Sequence, residues 1–282
     1  MNIPPHKIPI LSYHKIDDRR EFGLNTVKIR HFYQQMNFLR ESGYQTLTFR
    51  DLSGNALPPK PVIITFDDGY ASVYHQARHI LQKMGFTAVI FIISGYIGKL
   101  NNWDVNIGGI RFAHLNAVQL EALSDLGMEI GSHGVSHRAL TRLSAEEQFA
   151  ELVSSKMQLE EIIQRPVLSI AYPFGLQNPT LLQNARKAGY HFGCINLWGA
   201  NQRNNPLCLR RIPIYRTDSL RSFQRKLATG FFHHLEIGKL RLISWGARLT
   251  PLYQSLFRRN SHPSVLRENH SFLPHHHIRD SK

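Results

Sequence analysis

The strongest constraint on the fold is a regular alternation of two hydrophobic periods. Short apolar runs that end in polar residues recur at 8–13, 45–49, 62–66, 87–93, 128–131, 167–172, 190–195 and 209–214. Helical patterns lie between most of them, at 29–42, 71–84, 117–126, 145–163 and 179–188. Several of these are followed by Gly43, Gly85, Gly127 and Gly189, the residue type that best adopts the left-handed position after a helix. Strands alternating with helices predict a parallel sheet covered by helices. Seven or eight strands within residues 1–217 favour a closed (β/α) barrel over an open doubly wound sheet, and no glycine-rich phosphate turn marks a nucleotide site. Closure matters for chemistry, because the C-terminal strand ends of such a barrel converge on one rim.

The rhythm stops near residue 220, and the charge changes with it. Residues 1–202 carry 19 Lys+Arg against 16 Asp+Glu, whereas 203–282 carry 15 against 4. Segments 219–229, 235–249 and 252–259 read as short basic amphipathic helices, with Leu240, Ile243 and Trp245 among Lys239, Arg241 and Arg248. Interleaved apolar residues suit an interfacial helix better than a nucleic-acid contact. The expectation is therefore peripheral docking of 219–259 on an anionic membrane, with no nucleic-acid partner. The same pattern equally fits helices packed on the barrel with their cations outward. Three parts follow: a barrel domain at 1–217, a basic helical extension at 218–259, and a disordered polar tail at 260–282.

Two cysteines, Cys194 and Cys208, are too few for a disulfide framework. The N-terminus has no long apolar stretch of the kind a signal peptide carries. No segment approaches the roughly 20 apolar residues of a membrane span. A cytoplasmic protein, peripheral at most to the inner membrane face, is the expectation.

Two stretches carry chemistry. VIITFDDGYAS, residues 62–72, is a buried strand ending in Asp67 and Asp68. Adjacent carboxylates repel unless a positive group sits nearby, although an acidic turn capping the next helix gives the same pattern. MEIGSHGVSH, residues 128–137, is a second strand ending in His133 and His137, four apart. A His-His-Asp set plus an open position is the arrangement of catalytic zinc, which brings water toward a pKa of about 7. Alternate residues of a strand face opposite ways. One aspartate can thus bind an ion while its neighbour stays free as a base.

These two motifs resemble those of the polysaccharide deacetylases, the NodB-homology carbohydrate esterases, over roughly residues 5 to 217. The resemblance implies a distorted (β/α)7 barrel that removes N-acetyl groups from an N-acetylhexosamine-containing glycan. It implies Asp67 as catalytic base, and Asp68, His133 and His137 as ligands of a divalent metal, Zn2+ before Ni2+, Co2+ or Mn2+. A third family motif, R-x-P-[YF], matches IAYPFG at 170–175. It implies Phe174 as the backbone donor to the oxyanion, with Tyr172 and Pro173 beside the substrate.

This chain departs from the family at two places. Ala171 stands where the arginine that steadies the catalytic aspartate is expected, and Arg211 is the candidate replacement, against an ordinary rim arginine. The late Leu-His motif that supplies the catalytic acid is missing, and neither His191 nor His233–His234 ends an apolar strand. His14 does, in ILSYHKIDD. In a closed barrel the first strand lies beside the last. The poly-N-acetylglucosamine deacetylase-like branch, moreover, begins with a Tyr-His here. His14 is therefore the candidate acid. Trp103, near Asn102 and Asp104, and Trp198 are candidates to stack on a sugar, or equally to pack their loops. A catalytically inactive glycan-binding domain is the alternative, motivated by Ala171.

Overall fold

The computed structural model describes residues 4–19, 21, 23–54, 57–101, 111–197, 205–228 and 238. The chain divides into two compact units, Met1–Ile243 and Ser244–Lys282, and every described residue belongs to the first. The expected helices at 235–249 and 252–259 and the tail at 260–282 fall outside the described residues, Gly238 apart.

In chain order the strands are β1 (Ile10–Tyr13), β2 (Lys15–Ile16), β3 (Thr26–Val27), β4 (Gln45–Leu47), β5 (Pro61–Phe66), β6 (Val89–Ile92), β7 (Glu129–Ser132), β8 (Ser169–Ala171), β9 (Phe192–Ile195), β10 (Leu209–Arg210) and β11 (Ile212–Pro213). The helices are α1 (Ile29–Glu41), α2 (Arg78–Met84), α3 (Ala117–Asp125), α4 (Ala145–Ile163), α5 (Pro179–Lys187) and α6 (Leu220–Leu227). Local chemistry explains several boundaries. Asn116–Gln119 and Ser144–Glu147 form reciprocal capping boxes at the starts of α3 and α4, each satisfying two N–H groups a helix leaves open. In α1 the buried residues Phe32, Gln35, Met36 and Leu39 fall at 3- and 4-residue steps, one face of a helix. The helix expected at 71–84 instead begins with a π-helical turn at Val73–Ala77 before α2.

The main sheet runs β10-β9-β8-β7-β6-β5-β1-β11, all pairings parallel, and forms a nearly closed barrel. Closure depends on a single segment. Leu209 and Arg210 pair with Cys194 and Ile195 of β9, whereas Ile212 and Pro213 pair with Leu11 and Ser12 of β1. The strand expected at 209–214 is thus interrupted at Arg211 and changes partner there. Its two halves occupy one position of the ring, which makes seven. The expected strand at 45–49 is not a ring member: β4 pairs only with the start of β5.

Side chains sort by alternation along each strand. Ile10, Ile63, Val89, Phe91, Ala171, Cys194 and Leu209 form one buried cluster with Phe49 and Phe192. Their neighbours Leu11, Ile64, Ile90, Ile130, Ile170 and Ile195 pack with the helices in a second, larger cluster.

Helix α6 belongs to the wall. Phe223 is fully buried and meets Phe38 of α1 edge-on at 6.1 Å. Lys226 is buried, donating to Asp218 Oδ2 at 2.5 Å and to Pro213 O at 2.8 Å. For the described part of 219–259 the packed arrangement holds, with the apolar side of α6 against the barrel. Among the described residues no helix is long and apolar enough to cross a membrane.

Candidate active site

The motif residues meet at the rim formed by the C-terminal ends of the parallel strands. Asp67 and Asp68 follow β5, His133 follows β7, Phe174 comes three residues after β8, and His14 follows β1. Asp68, His133 and His137 are all buried, and their ligand atoms lie within 4.8 Å of one another. Asp68 Oδ1 is 3.4 Å from His133 Nε2 and 3.5 Å from His137 Nε2.

This donor set fits a divalent cation. Asp68 Oδ1 is buried and accepts no hydrogen bond among the described residues, a costly state for a carboxylate oxygen without a cation. His133 Nδ1 lies 2.6 Å from Ala171 O. A carbonyl only accepts, so Nδ1 carries the proton, and Nε2 is the ring nitrogen turned toward Asp68 Oδ1, where a metal would sit. Burial pushes His137 down to about 3, leaving it a neutral imidazole and hence a competent ligand. Asp68 is ionised: burial raises its pKa, but His133 and His14 outweigh that and hold it far below the carboxylate range.

Asp67 faces a different partner. Arg211 Nη1 donates to Asp67 Oδ1 at 2.5 Å and Nη2 donates to Oδ2 at 2.7 Å, in a buried bidentate pair. Nη1 also donates to Thr65 Oγ1 at 3.1 Å, and Thr65 Oγ1 donates to Leu11 O at 2.8 Å. Burial raises the Asp67 carboxyl, yet Arg211, with His133 and His14, holds it below the usual carboxylate range. The guanidinium lies 5.4 Å from the centre of the Phe91 ring inside the barrel, where Ala171 offers only a methyl group.

His14 is brought beside the pair by register. Asp67 N–H donates to Tyr13 O at 2.9 Å, and the His14 ring lies within electrostatic reach of Asp67, Asp68 and His137. Its Nδ1 is buried with no hydrogen-bond partner among the described residues. His191, by contrast, precedes β9 and is exposed at the opposite end of the barrel. His233–His234, Trp103 and Trp198, with Asn102 and Asp104, lie outside the described residues.

Backbone strain gathers at the rim. Four described non-glycine residues have positive φ, and three of them are Asp68 (70°), His137 (55°) and Phe174 (60°). The fourth, Gln164, caps the end of α4. Such conformations cost about 1–3 kcal/mol each and persist only where surroundings enforce them. Phe174 is buttressed by Gly175, where an added Cβ would meet Asn196 N at 2.4 Å. Its ring lies 4.9 Å from that of His137.

Tyr172 requires a correction. Neighbours on a strand face opposite ways, so with Ala171 inside the barrel, Tyr172 points outward. It is fully buried in the outer layer with Leu207, Cys208 and Tyr190, and its hydroxyl abuts Gly193. It cannot touch a substrate at the rim. Pro173 is buried at the rim itself.

One residue at the site carried no sequence signal. His114 is buried, its Nδ1 lies 2.8 Å from Asp68 O, and its ring stacks on Tyr70 at 4.9 Å. It arrives through a short antiparallel bridge, Tyr70↔His114, not through a motif. Donating Nδ1–H to Asp68 O stabilises the strained turn on which the carboxylate is carried. His114→Ala is expected to cost about 1–3 kcal/mol for the orphaned carbonyl alone. His114→Asn, which keeps a donor, should recover part of that loss, and urea denaturation of both variants checks it.

Comparison with known proteins agrees with this geometry. The polysaccharide deacetylase family model matches residues 54–193, a span that leaves out His14 and Arg211. YxkH of Bacillus subtilis (strain 168), assigned to the same family, is 32% identical over 216 residues, covering 74% of this chain and 72% of its own. The poly-β-1,6-N-acetyl-D-glucosamine N-deacetylase of Staphylococcus aureus (strain MSSA476) is 25% identical over 187 residues, 62% of each chain. The solved structure of the Streptococcus pyogenes deacetylase PplD, in complex with acetate, superposes with a TM-score of 0.68 at 31% identity, covering 79% of this chain and 98% of that one. Likeness of this extent in both sequence and fold makes the chain a member of the polysaccharide deacetylase family.

Proposed function

We propose that the chain is a metal-dependent hydrolase that removes N-acetyl groups from an N-acetylhexosamine-containing poly- or oligosaccharide. One juxtaposition carries this reading: a buried Asp-His-His cluster lies beside a carboxylate clamped by a buried arginine. A divalent ion held by Asp68, His133 and His137, zinc by the chemistry of that donor set, would supply Lewis acidity to the acetyl carbonyl and to water. Asp67 takes a proton from the attacking water, whose oxygen bonds to the acetyl carbon. The Phe174 N–H donates to the oxyanion. His14 gives a proton to the departing nitrogen, so that acetate and a free amine result. Arg211 keeps Asp67 ionised and fixes its orientation, so that it can act as a base.

The name of the Staphylococcus aureus relatives supports poly-β-1,6-N-acetylglucosamine as the substrate to try first. The decisive measurement is acetate release from β-1,6- and β-1,4-linked N-acetylglucosamine oligomers, with chelator and after zinc is restored. Release that stops with chelator and returns with zinc is expected. No release from either by zinc-loaded protein would sink the reading in favour of an inactive glycan-binding domain. That alternative drew its motive from Ala171, and the pairing of Arg211 with Asp67 supports the active reading over it.

His14→Ala is expected to lower kcat on the amide substrate by about 100-fold, within the range for a general acid. Its activity on 4-nitrophenyl acetate, whose leaving group needs no proton, should stay near wild type. An equal loss on both substrates would remove His14 from the role of acid.

A further inference from the structure

The loop between the two histidines, Gly134-Val135-Ser136, is shaped from outside by a helix. Glu151 of α4 is 14 positions beyond His137 in the chain, yet its carboxylate sits in the concave side of this loop. Glu151 Oε2 accepts from Val135 N–H at 2.7 Å and from Ser136 N–H at 3.1 Å, and Oε1 accepts from Ser136 Oγ at 2.5 Å. Successive backbone N–H groups following a left-handed residue form an anion-binding concavity, and Gly134 has φ of +76°. Here the anion is a side chain of the protein itself. Three more polar groups of the loop are paired: Gly134 N–H donates to Ser132 Oγ, Ser94 N–H to Gly134 O, and Gly95 N–H to Val135 O. One turn further along α4, Ser155 Oγ meets Ser132 Oγ at 2.8 Å.

We propose that Glu151 is a positioning residue for the metal site, holding the 134–136 loop in the shape that brings His133 Nε2 and His137 Nε2 together on Asp68 Oδ1. His137 takes a left-handed conformation immediately after this loop, and an unrestrained chain would leave it. Hydrogen bonds from three donors to one side chain of the right length oppose that relaxation. The proposal rests on reading Asp68, His133 and His137 as a metal site, and it gives Glu151 no contact with substrate.

Geometry and charge make opposite predictions for two variants, which separates them. Glu151→Gln removes the charge but keeps an acceptor oxygen for both N–H groups and a donor for Ser136 Oγ. Glu151→Asp keeps the charge but is one methylene too short to reach the loop. The test is zinc affinity of the full chain, measured by competition with a chromophoric chelator, together with the melting temperature of the zinc-free protein. Glu151→Ala and Glu151→Asp are expected to bind zinc about 10- to 100-fold more weakly, the usual loss when the support of a ligand is removed. Glu151→Gln should stay near wild type. The reverse order, with Asp tight and Gln weak, would reduce Glu151 to a distant charge and overturn the proposal. Wild-type affinity in all three variants, whatever their melting temperatures, would overturn it too, leaving an ordinary helix contact. His137→Ala is the control: if it binds zinc as tightly as wild type, the metal reading itself fails, an outcome distinct from failure of Glu151 alone.

Discussion

Asp67→Asn is expected to retain its metal and lose about 10²–10⁴-fold in kcat, the contribution of a positioned general base. The prediction separates two adjacent carboxylates with different surroundings. Asp68 faces two imidazoles, and Asp67 faces a guanidinium. Replacing the second leaves the Asp68, His133 and His137 donors untouched, so zinc content should match wild type. An amide cannot take a proton from water at neutral pH, so turnover should fall without a matching change in KM. The substitution also disturbs the clamp, because an amide offers one acceptor where Arg211 donates to two oxygens. A stability loss of about 1–3 kcal/mol for the orphaned donor is therefore expected, and rates should be compared well below the variant's melting temperature. Zinc analysis and acetate release together decide it. A metal-loaded Asp67→Asn enzyme turning over at the wild-type rate would end the assignment of Asp67 as base.

Arg211→Met is expected to produce the largest loss of stability among these variants, about 3–5 kcal/mol, the cost of leaving a buried charge without its partner. Methionine fills much of the volume of the stem, so the loss reports the charge more than a cavity. The pair lies inside the barrel, where both side chains are only 6–7% exposed, and solvent cannot take the place of the guanidinium. Arg211→Lys should rescue little, because a point charge cannot donate to both oxygens in the same plane. The informative measurement is a double-mutant cycle by urea denaturation. With Asp67→Asn already in place, Arg211→Met should cost clearly less than in the wild type, since part of the uncompensated charge is gone. Strict additivity of the two substitutions would show that they do not interact, contrary to the bidentate geometry.

On the proposed reading, Arg211 also stands in for the arginine that the family resemblance places at Ala171. The interruption between β10 and β11 falls on Arg211, which pairs with the rim aspartate, and Ala171 contributes only a methyl group to the interior cluster. A buried cation faces the aspartate here, and it comes from the segment that closes the ring. If Asp67 is the base, it requires a fixed positive partner in a site closed to solvent, and Arg211 meets that requirement.

Much of this could be read before the fold was seen. The alternation of strand and helix periods predicts a parallel barrel, and strands ending in Asp67–Asp68 and His133 predict which residues share its rim, because all the strands run the same way. These are local properties, carried by hydrophobic spacing and turn residues. Three features were decided only by tertiary structure. Tyr172 sits within a functional motif yet faces the helices, since side-chain direction follows the register of β8 rather than nearness in the sequence. His114 and Glu151 reach the site through a loop bridge and a helix face, at separations of 46 residues from Asp68 and 15 from Ser136, with no periodic or motif signal to mark them. Arg211 meets Asp67 across 144 residues because the last strand closes on the first. Such contacts depend on where the ring closes and on which way each strand is turned, and neither is encoded in any short stretch of the chain.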